Sequence, residues 1–249
     1  MTEIRPVREE EAISFLTLVC DVFELDIARA RAVFFNEPMF DLNRKWALIE
    51  DGAIRSVLTT VPLLFGWGDA IGIASVATHP SHRGRGLAKQ LLLKALADPV
   101  PAYLFAADPR MYQEVGFNII DEMVKISVGS ERPLEEESPL SHDEVREIYD
   151  RWSLLHPNRL RRDDRRWQLW KWAMRYCVPT SGGYTCIEGN TIREIVADAG
   201  AALPAGFHGE FFGLKSMAEK LALGVGASEG FLMGRGTDQV PEMFLSDQF

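Results

Sequence analysis

The hydrophobic pattern of the first quarter of the chain predicts one strand and two helices. Residues 3–7 alternate between apolar and polar side chains and predict an edge strand. Residues 9–23 carry apolar side chains at helical spacing, after an acidic start that suits the positive end of a helix dipole. A second helix is predicted over residues 26–35, ahead of Pro38. The predicted buried stripe of the first helix is Ile13, Leu16, Val19, Cys20 and Phe23.

Strand patterns dominate the next part of the chain. Residues 45–50 lead into the tight-turn pair Asp51-Gly52, and residues 53–65 form the predicted return strand. Residues 70–78 are continuously small or apolar, which is typical of a buried central strand. The remaining predicted elements are a helix at 87–97, a strand at 102–107, a helical turn at 111–115, and β-like stretches at 117–120 and 124–128.

A polar segment separates this part from the rest. Residues 129–141 (GSERPLEEESPLS) are rich in Pro, Ser and Glu, which predicts a linker. We therefore divide the chain into a first domain (1–128), the linker (129–141) and a second, smaller domain (142–249). The second domain is predicted to contain helices at 142–152, 163–176 and 214–223, a hairpin at 184–197, and β-like pieces at 231–233 and 243–245.

Composition narrows the class of protein. The chain has 249 residues and a formal net charge of −9, which argues against a general nucleic-acid binder because phosphate contacts need a positive face. No apolar run approaches the roughly 18–20 residues that span a bilayer, and the polar start is unlike a targeting peptide. We therefore expect a cytoplasmic protein that does not enter membranes. Cys20, Cys177 and Cys186 match no metal-ligand spacing and predict three reduced thiols and no metal site.

One segment carries recognisable chemistry. Residues 83–88 (RGRGLA) fit the pattern Gln/Arg-x-x-Gly-x-Gly/Ala, directly after the predicted central strand and at the start of a predicted helix. The first N–H groups of a helix have no partners within it, and together with the helix dipole they bind anions such as a pyrophosphate. Gly84 and Gly86 would let such a ligand approach the backbone. The alternative is a glycine-rich surface turn with solvated arginines.

A second motif accompanies residues 83–88. On these two motifs the sequence resembles the GNAT superfamily of acyl-CoA-dependent N-acetyltransferases. Residues 111–117 (MYQEVGF) look like the family stretch F-Y-x-x-x-G-F, with Met111 in place of the usual aromatic residue. The resemblance covers roughly residues 3–128. It implies an α/β (α+β) GNAT fold, in which helices flank a central mixed, twisted sheet, and acetyl-CoA as cosubstrate.

The resemblance also implies roles for individual residues. The backbone of residues 76–78 would pair with the pantetheine arm, and an N–H near Ala77 would polarise the thioester carbonyl. Tyr112 would protonate the departing CoA thiolate, which is chemically reasonable because the pKa values of tyrosine and a thiol are close, about 10 and 8.5. The alternative is that Tyr112 is a packed aromatic residue with its hydroxyl on the surface. The implied acetyl-CoA-binding residues are Val76, Ala77, Thr78, Arg83, Gly84, Arg85, Gly86, Leu87, Ala88, Lys89, Ala107 and Asp108.

The sequence does not single out a general base. Glu50, Asp51, Asp108 and a chain of water molecules all remain open as the group that accepts the proton of the acceptor amine. His79 and His82 flank the glycine-rich loop, and we interpret both as solvated loop histidines.

The second half contains a basic, aromatic segment at residues 151–175, with eight basic and two acidic side chains. It could be an RNA-binding helix, but Trp167, Trp170 and Met174 have the spacing of a core face. We therefore predict an amphipathic helix with a solvated basic side.

The hairpin that follows looks like the central strands of another GNAT-like unit without a phosphate loop. The predicted tandem is similar to the enhanced-intracellular-survival (Eis) proteins, without their sterol-carrier domain. In that group the terminal carboxylate acts in the active site, a role that we do not transfer to Phe249.

These observations predict an N-acetyltransferase that moves an acetyl group from acetyl-CoA to a primary amine by direct attack. The acceptor, a small molecule or a protein amine, is not readable from the sequence, and assembly into a homo-oligomer is possible. A non-catalytic CoA-binding regulatory protein and an RNA-associated protein are the two alternatives.

Overall fold

The computed structural model describes residues 2–130, 138–173, 176–197 and 203–247. Its strands are β1 (Thr2–Pro6), β2 (Lys45–Glu50), β3 (Ala53–Phe65), β4 (Gly68–Thr78), β5 (Ala102–Ala106), β6 (Asn118–Gly129), β7 (Cys177–Thr180), β8 (Gly183–Glu188), β9 (Thr191–Val196), β10 (His208–Leu214) and β11 (Ala227–Arg235). Its helices are α1 (Ala12–Phe23), α2 (Ile27–Phe34), α3 (Leu87–Ala95), α4 (Arg110–Gln113), α5 (His142–Leu154), α6 (Asp164–Ala173) and α7 (Lys215–Lys220).

The strands form one mixed sheet in the order β1-β2-β3-β4-β5-β11-β6-β10-β9-β8-β7. Most neighbours are antiparallel, whereas β4 with β5 and β9 with β10 are parallel. Helices pack against the sheet and bury its apolar side chains in clusters that include Leu48, Leu91 and Phe117. The predicted mixed α/β fold is therefore confirmed.

The strand patterns of the first half are confirmed with small shifts. The two β-like stretches at 117–120 and 124–128 are parts of the single strand β6. The predicted β-like piece at 243–245 is wrong, because these residues lie outside any strand and a short 3₁₀ turn begins at Leu245. Strands β7 and β10 were not predicted.

The buried side of α1 differs from the predicted stripe. Leu16, Val19 and Cys20 are buried, but Ile13 is 39% exposed and Phe23 is 49% exposed. The helix begins at Ala12, after a 3₁₀ turn over Glu9–Glu11. Its buried arc is rotated toward residues 12, 15 and 18, which pack with the apolar side of β2 and β3. The ring of Phe23 is thereby free to face a cavity.

The last strand of the chain lies inside the sheet of the first half. β11 pairs antiparallel with β5 on one side and with β6 on the other, although more than 90 residues separate it from both. Residues 131–137 of the predicted linker lie outside the described residues. The division at 129–141 stays a prediction, and the sheet runs continuously across both parts of the chain.

A segment of the second half covers the free edge of β3. Strand β2 pairs with β3 only as far as Thr59, so none of the described strands pairs with residues 60–65 on that side. Arg161 donates its N–H to the carbonyl of Leu64 at 2.8 Å, and the Arg166 guanidinium donates to the carbonyl of Pro62 at 2.9 Å. Backbone groups at the edge are thus satisfied by residues around the start of α6.

The predicted solvated basic side of this helix is wrong in part. Trp167 and Trp170 are buried as predicted, whereas Met174 lies outside the described residues. However, Arg162 and Arg166 are buried as well, with 6% and 4% exposure. Arg162 is neutralised because it forms ion pairs of 2.7 Å with Glu194 and with Asp247. The basic surface available to a nucleic acid is correspondingly smaller.

The prediction of three reduced thiols is also wrong. Cys177 and Cys186 form a disulfide, whereas Cys20 is free and buried. The two residues stand directly opposite each other on the antiparallel strands β7 and β8, with Cα atoms 4.2 Å apart. This distance suits a pair that lacks backbone hydrogen bonds, in which side chains approach each other closely. The sequence spacing alone did not indicate the hairpin that brings them together.

None of the helices in the described part of the chain combines the length and the apolarity that crossing a bilayer requires.

Candidate active site

A cleft opens where β4 and β5 stop pairing. The two parallel strands are in register only from Ile71 opposite Ala102 to Ile73 opposite Leu104. Beyond this point residues 73–76 and 105–108 line a cavity of about 520 Å³. A β-bulge in β4 accompanies the opening, since Ser75 and Val76 together face one residue of β3, and Ser75 has a φ of +52°.

The backbone of β4 presents hydrogen-bonding groups to this cleft. His79 donates its N–H to the carbonyl of Arg55 on the β3 side at 2.9 Å. Because successive residues of a strand alternate in direction, the N–H of Ala77 also faces β3, and those of Val76 and Thr78 face the cleft. These N–H groups are not paired with β3, so an added strand or an extended ligand arm could form hydrogen bonds with them.

The glycine-rich loop and the start of α3 form the other end of the cleft. Gly84 and Gly86 have φ values of +75° and +71°, and a Cβ at either position would meet no protein atom within 4 Å. Gly86 precedes α3 and has no side chain to cap it, and Gln90 donates the first hydrogen bond of the helix, to the carbonyl of Gly86 at 3.0 Å. The N–H groups of residues 87–89 are therefore available to an anion.

These two regions are adjacent and share wall residues. The loop and α3 line a second cavity of about 540 Å³, which shares Val76 and Met111 with the first. We call the combined cavity the β4–β5 cleft. The predicted site residues that line it are Val76, Thr78, Arg83, Gly84, Gly86, Leu87, Ala88, Lys89, Ala107, Asp108 and Tyr112.

Two predicted residues do not line the cleft. Ala77 is 1% exposed and packs in the core beneath α1, and its carbonyl accepts a hydrogen bond from Ser56. Arg85 turns away from the loop and binds the carboxylate of Glu50 through two hydrogen bonds of 2.9 Å. Arg83 is the arginine of the loop that lines the cleft.

Tyr112 lies in α4 at the opposite end from the glycine-rich loop. Its ring packs edge-on against Phe117, with ring centroids 6.3 Å apart. Burial raises the pKa of its hydroxyl above the ordinary value of 10. The hydroxyl therefore stays protonated at neutral pH, as a proton donor must.

Some residues of the cleft were not predicted. Phe23, Ser75 and Phe105 line the cavity around Tyr112. Phe23 had been assigned to a buried helix face, and the bulge that exposes Ser75 depends on pairing with β3. A sequence signal for Phe105 exists, since it precedes the predicted Ala107 by two residues and so faces the same side of β5.

The candidate bases differ in their surroundings. Glu50 is held by Arg85. Hydrogen bonds from Arg110 lower the pKa of Asp108 to about 2, so this carboxylate accepts a proton poorly at neutral pH. Asp51 lies in the tight turn between β2 and β3 with a φ of +51°.

The two histidines stand beside the glycine-rich loop. The Oγ of Ser81 is 2.8 Å from the Nδ1 atoms of both His79 and His82. Partial burial and the charges of Arg55 and Arg85 lower the pKa of His82, which borders the loop end of the cleft. Both side chains lie at the loop, away from Tyr112.

Within the described ranges, no three His, Cys, Asp or Glu side chains come close enough to hold a metal ion.

Comparison with known proteins agrees with this arrangement. Residues 3–120 match the sequence model of the acetyltransferase (GNAT) domain. No protein of curated function matches the sequence. The part of the chain that carries both motifs is therefore similar in sequence to the GNAT acetyltransferase domain.

Solved structures extend the likeness over nearly the whole chain. A GCN5-related N-acetyltransferase from Kribbella flavida superposes with a TM-score of 0.72 at 15% identity, over 94% of this chain and 72% of that chain. A GCN5-related N-acetyltransferase from Anabaena variabilis gives 0.66 at 13% identity, over 94% and 72%. Eis1 from Mycobacterium abscessus gives 0.66 at 16% identity, over 94% and 73%. At these identities the similarity establishes the fold, including the predicted likeness to Eis proteins.

Proposed function

We propose that the protein transfers an acetyl group from acetyl-CoA to a primary amine. The observation that carries this proposal is the single β4–β5 cleft, which joins an anion-binding helix start to an open strand edge and to a protonated tyrosine. An elongated thioester with a pyrophosphate at one end matches that order of groups. The GNAT domain match supports the same chemistry.

Each end of the cleft has a separate task in binding. The N–H groups of residues 87–89 and the guanidinium of Arg83 bind the pyrophosphate. The cleft-facing N–H groups of Val76 and Thr78 and the carbonyl of Val76 pair with the amides of the pantetheine arm, as an added strand would. The carbonyl of Thr78 accepts a hydrogen bond from Nε of Arg83 at 3.3 Å. This binding places the thioester between β4 and β5, beside the bulge at Ser75.

The reaction itself is a direct attack. The acceptor amine attacks the thioester carbonyl carbon, and the carbonyl oxygen becomes an oxyanion that a cleft-facing N–H of β4 stabilises. A fixed donor of this kind is typically worth about 3 kcal/mol in the transition state. The C–S bond then breaks, and Tyr112 donates its proton to the departing thiolate. Glu50 and Asp108 are held by arginines, and Asp51 is not among the residues that line the cleft, so we assign the proton of the amine to water. The Tyr112 phenolate regains its proton from water before the next turnover.

The acid role is tested by comparing Tyr112→Phe with the wild type. Release of free CoA is measured with acetyl-CoA and a panel of primary amines. We expect kcat to fall by about 10²–10³ in Tyr112→Phe while KM for acetyl-CoA changes little, because only proton donation is lost. Tyr176→Phe is the matched control, since Tyr176 is 46% exposed and lies far along the sheet at β7. Equal turnover in Tyr112→Phe and wild type would exclude the acid role.

The alternatives make different predictions. A non-catalytic CoA-binding protein would bind acetyl-CoA and turn over no amine in the same assay. An RNA-associated protein would bind RNA in a salt-sensitive manner through residues 151–175, but the burial of Arg162 and Arg166 weakens this reading.

A further inference from the structure

A third cavity, of about 290 Å³, adjoins the β4–β5 cleft on the side of α1. We call it the α1 pocket. It shares Ala74 and Ser75 with the cleft, so these two residues form a gateway between them. Phe15, Leu16 and Phe34 give it apolar walls. Its volume is at the lower end of the range of small-molecule sites, about 300–1,000 Å³, and so suits a small ligand.

Two of the three cations in the α1 pocket are already neutralised. The ammonium of Lys45 is 3.2 Å from the carboxylate of Glu37, and the rings of Phe15 and Phe34 surround it, with the Phe34 centroid at 4.6 Å. Arg44 and Asp41 form an ion pair of 3.4 Å at the rim. Neither pair leaves a net charge for a ligand.

Arg166 is the third cation of the α1 pocket, and it has a different set of partners. Its guanidinium donates to the carbonyls of Pro62 at 2.9 Å and Asp247 at 3.2 Å. Among the described residues, no carboxylate forms an ion pair with Arg166, although the Asp247 carboxylate that pairs with Arg162 also acts on its charge. A guanidinium has five N–H donors, and the described contacts of Arg166 with these carbonyls use two of its nitrogens. Burial lowers the pKa of Arg166 from its ordinary value, against the opposing effect of the Asp247 charge.

The position of Arg166 sets a distance to the gateway. Its partner Pro62 lies three residues along β3 from Thr59, and Thr59 stands opposite Ala74 of the gateway. Three residues of extended strand span about 10 Å. A ligand that contacts both Arg166 and the gateway must therefore have its two polar ends several bonds apart, with an apolar middle against Phe15 and Leu16.

We propose that the α1 pocket binds the acceptor as a small ω-amino carboxylate. Its carboxylate pairs with Arg166, and its amine lies at the Ala74–Ser75 gateway, facing the thioester. The proposal rests on the proposed function, because it names the acceptor class of the same reaction. It also gives the second half of the chain a part in acceptor selection, since Arg166 belongs to α6.

A series of matched amines tests the proposal without altering the protein. Glycine, 4-aminobutanoate, 5-aminopentanoate and 6-aminohexanoate are compared with butylamine and pentylamine, with free CoA as the product measured. We expect kcat/KM to rise from glycine to the five- or six-carbon acid. We also expect 5-aminopentanoate to exceed pentylamine by about tenfold or more, the usual effect of one charge-assisted ion pair. Equal kcat/KM for 4-aminobutanoate and butylamine, and for 5-aminopentanoate and pentylamine, would overturn the proposal.

Substitution of Arg166 adds a second readout. Arg166→Gln should raise KM for 5-aminopentanoate about tenfold and leave KM for pentylamine unchanged, and Arg166→Lys should recover part of the loss. The control is Arg151→Gln, because Arg151 is exposed on α5, away from the α1 pocket. A loss that is equal for both amines would indicate a structural role and contradict the proposal.

Direct binding separates this proposal from the proposed function. Calorimetry with 5-aminopentanoate and pentylamine, in the presence of CoA, requires no turnover. Selective binding of the acid that disappears in Arg166→Gln supports the proposal even if no amine is acetylated, in which case only the proposed function fails. If amines are acetylated but the acid is preferred neither in binding nor in rate, the proposed function stands and the ω-amino carboxylate proposal fails.

Discussion

Arg85 donates two hydrogen bonds of 2.9 Å to the carboxylate of Glu50, one from each terminal nitrogen of the guanidinium. Glu50 ends β2, and Arg85 lies between the two glycines of the loop at the start of α3. The pair therefore fixes the loop to the sheet, with the arginine directed away from the β4–β5 cleft. Arg83 is left as the loop arginine that faces the cleft.

This arrangement predicts different effects for the two arginines. Arg83→Gln should raise KM for acetyl-CoA by about tenfold, because a charge-assisted contact to the pyrophosphate is lost. The increase should shrink at high salt, since the side chain is exposed. Arg85→Gln should change KM by less than about twofold. Initial rates at varied acetyl-CoA and ionic strength provide the measurement, and a larger effect for Arg85→Gln would contradict the assignment.

Gly86→Ala should weaken acetyl-CoA binding beyond its effect on stability. The added Cβ would enter the open space where the pyrophosphate binds, and the φ of +71° costs about 1–2 kcal/mol for a residue with a Cβ. Gly52→Ala is a matched control, since Gly52 has a φ of +77° and equally open surroundings in the β2–β3 turn. Thermal unfolding should show similar losses in both variants, while calorimetry should show weaker CoA binding only in Gly86→Ala. The same affinity in both would mean that the loop does not contact the ligand.

The buried pair of Arg162 and Glu194 should make a large contribution to stability. Glu194→Gln leaves the Arg162 charge with only Asp247 as a partner, and breaking a buried pair typically costs about 3–5 kcal/mol. Glu188→Gln in the same hairpin removes only the exposed pair with Arg193, which is worth less than about 1 kcal/mol. Urea unfolding followed by fluorescence measures both. Comparable losses in the free energy of unfolding for Glu194→Gln and Glu188→Gln would contradict a larger contribution of the buried pair.

The same carboxylate gives stability a dependence on pH. Burial alone would raise the pKa of Glu194, but the charge and hydrogen bonds of Arg162 lower it overall. A lowered folded-state pKa means that the contribution is complete above the unfolded-state value of about 4.3, and that it disappears as pH falls through the folded-state value. Glu194→Gln should therefore flatten the acid side of the stability profile.

Tyr112 should keep the reaction active into alkaline solution. Because burial raises the pKa of its hydroxyl above 10, the acid form that donates the proton persists up to that pH. We expect kcat at saturating substrates to stay level from pH 7 to about pH 9.5 and to fall only above it. A decline in kcat centred below pH 9 that persists unchanged in Tyr112→Phe would place the titrating group elsewhere.

Local elements of the fold could be predicted because their patterns are short and periodic. The turn at Asp51-Gly52 and the helix start at Gly86 depend only on neighbouring residues, and both lie where expected. Most of the predicted cleft residues follow from that local geometry. Ala77 does not line the cleft, because the direction of its backbone groups depends on its hydrogen-bond register with β3.

Features that depend on distant partners were not predictable. Arg162 looks like a solvated arginine until Glu194 and Asp247, 32 and 85 residues further along, are brought beside it. The pairing of Cys177 with Cys186 requires the β7–β8 hairpin, and β7 has too few residues for a clear pattern. Phe23 was assigned to the core because a helical period alone does not say which arc the sheet will cover.

The position of β11 has a consequence for how the chain is made. During synthesis on a ribosome, β5 and β6 emerge long before the strand that belongs between them. Until residue 235 has left the exit tunnel, β5 and β6 either remain unpaired or form a non-native pair with each other. Formation of the β4–β5 cleft is thereby tied to synthesis of the chain through residue 235, and a nascent chain interrupted earlier exposes two unpartnered strand edges that favour aggregation.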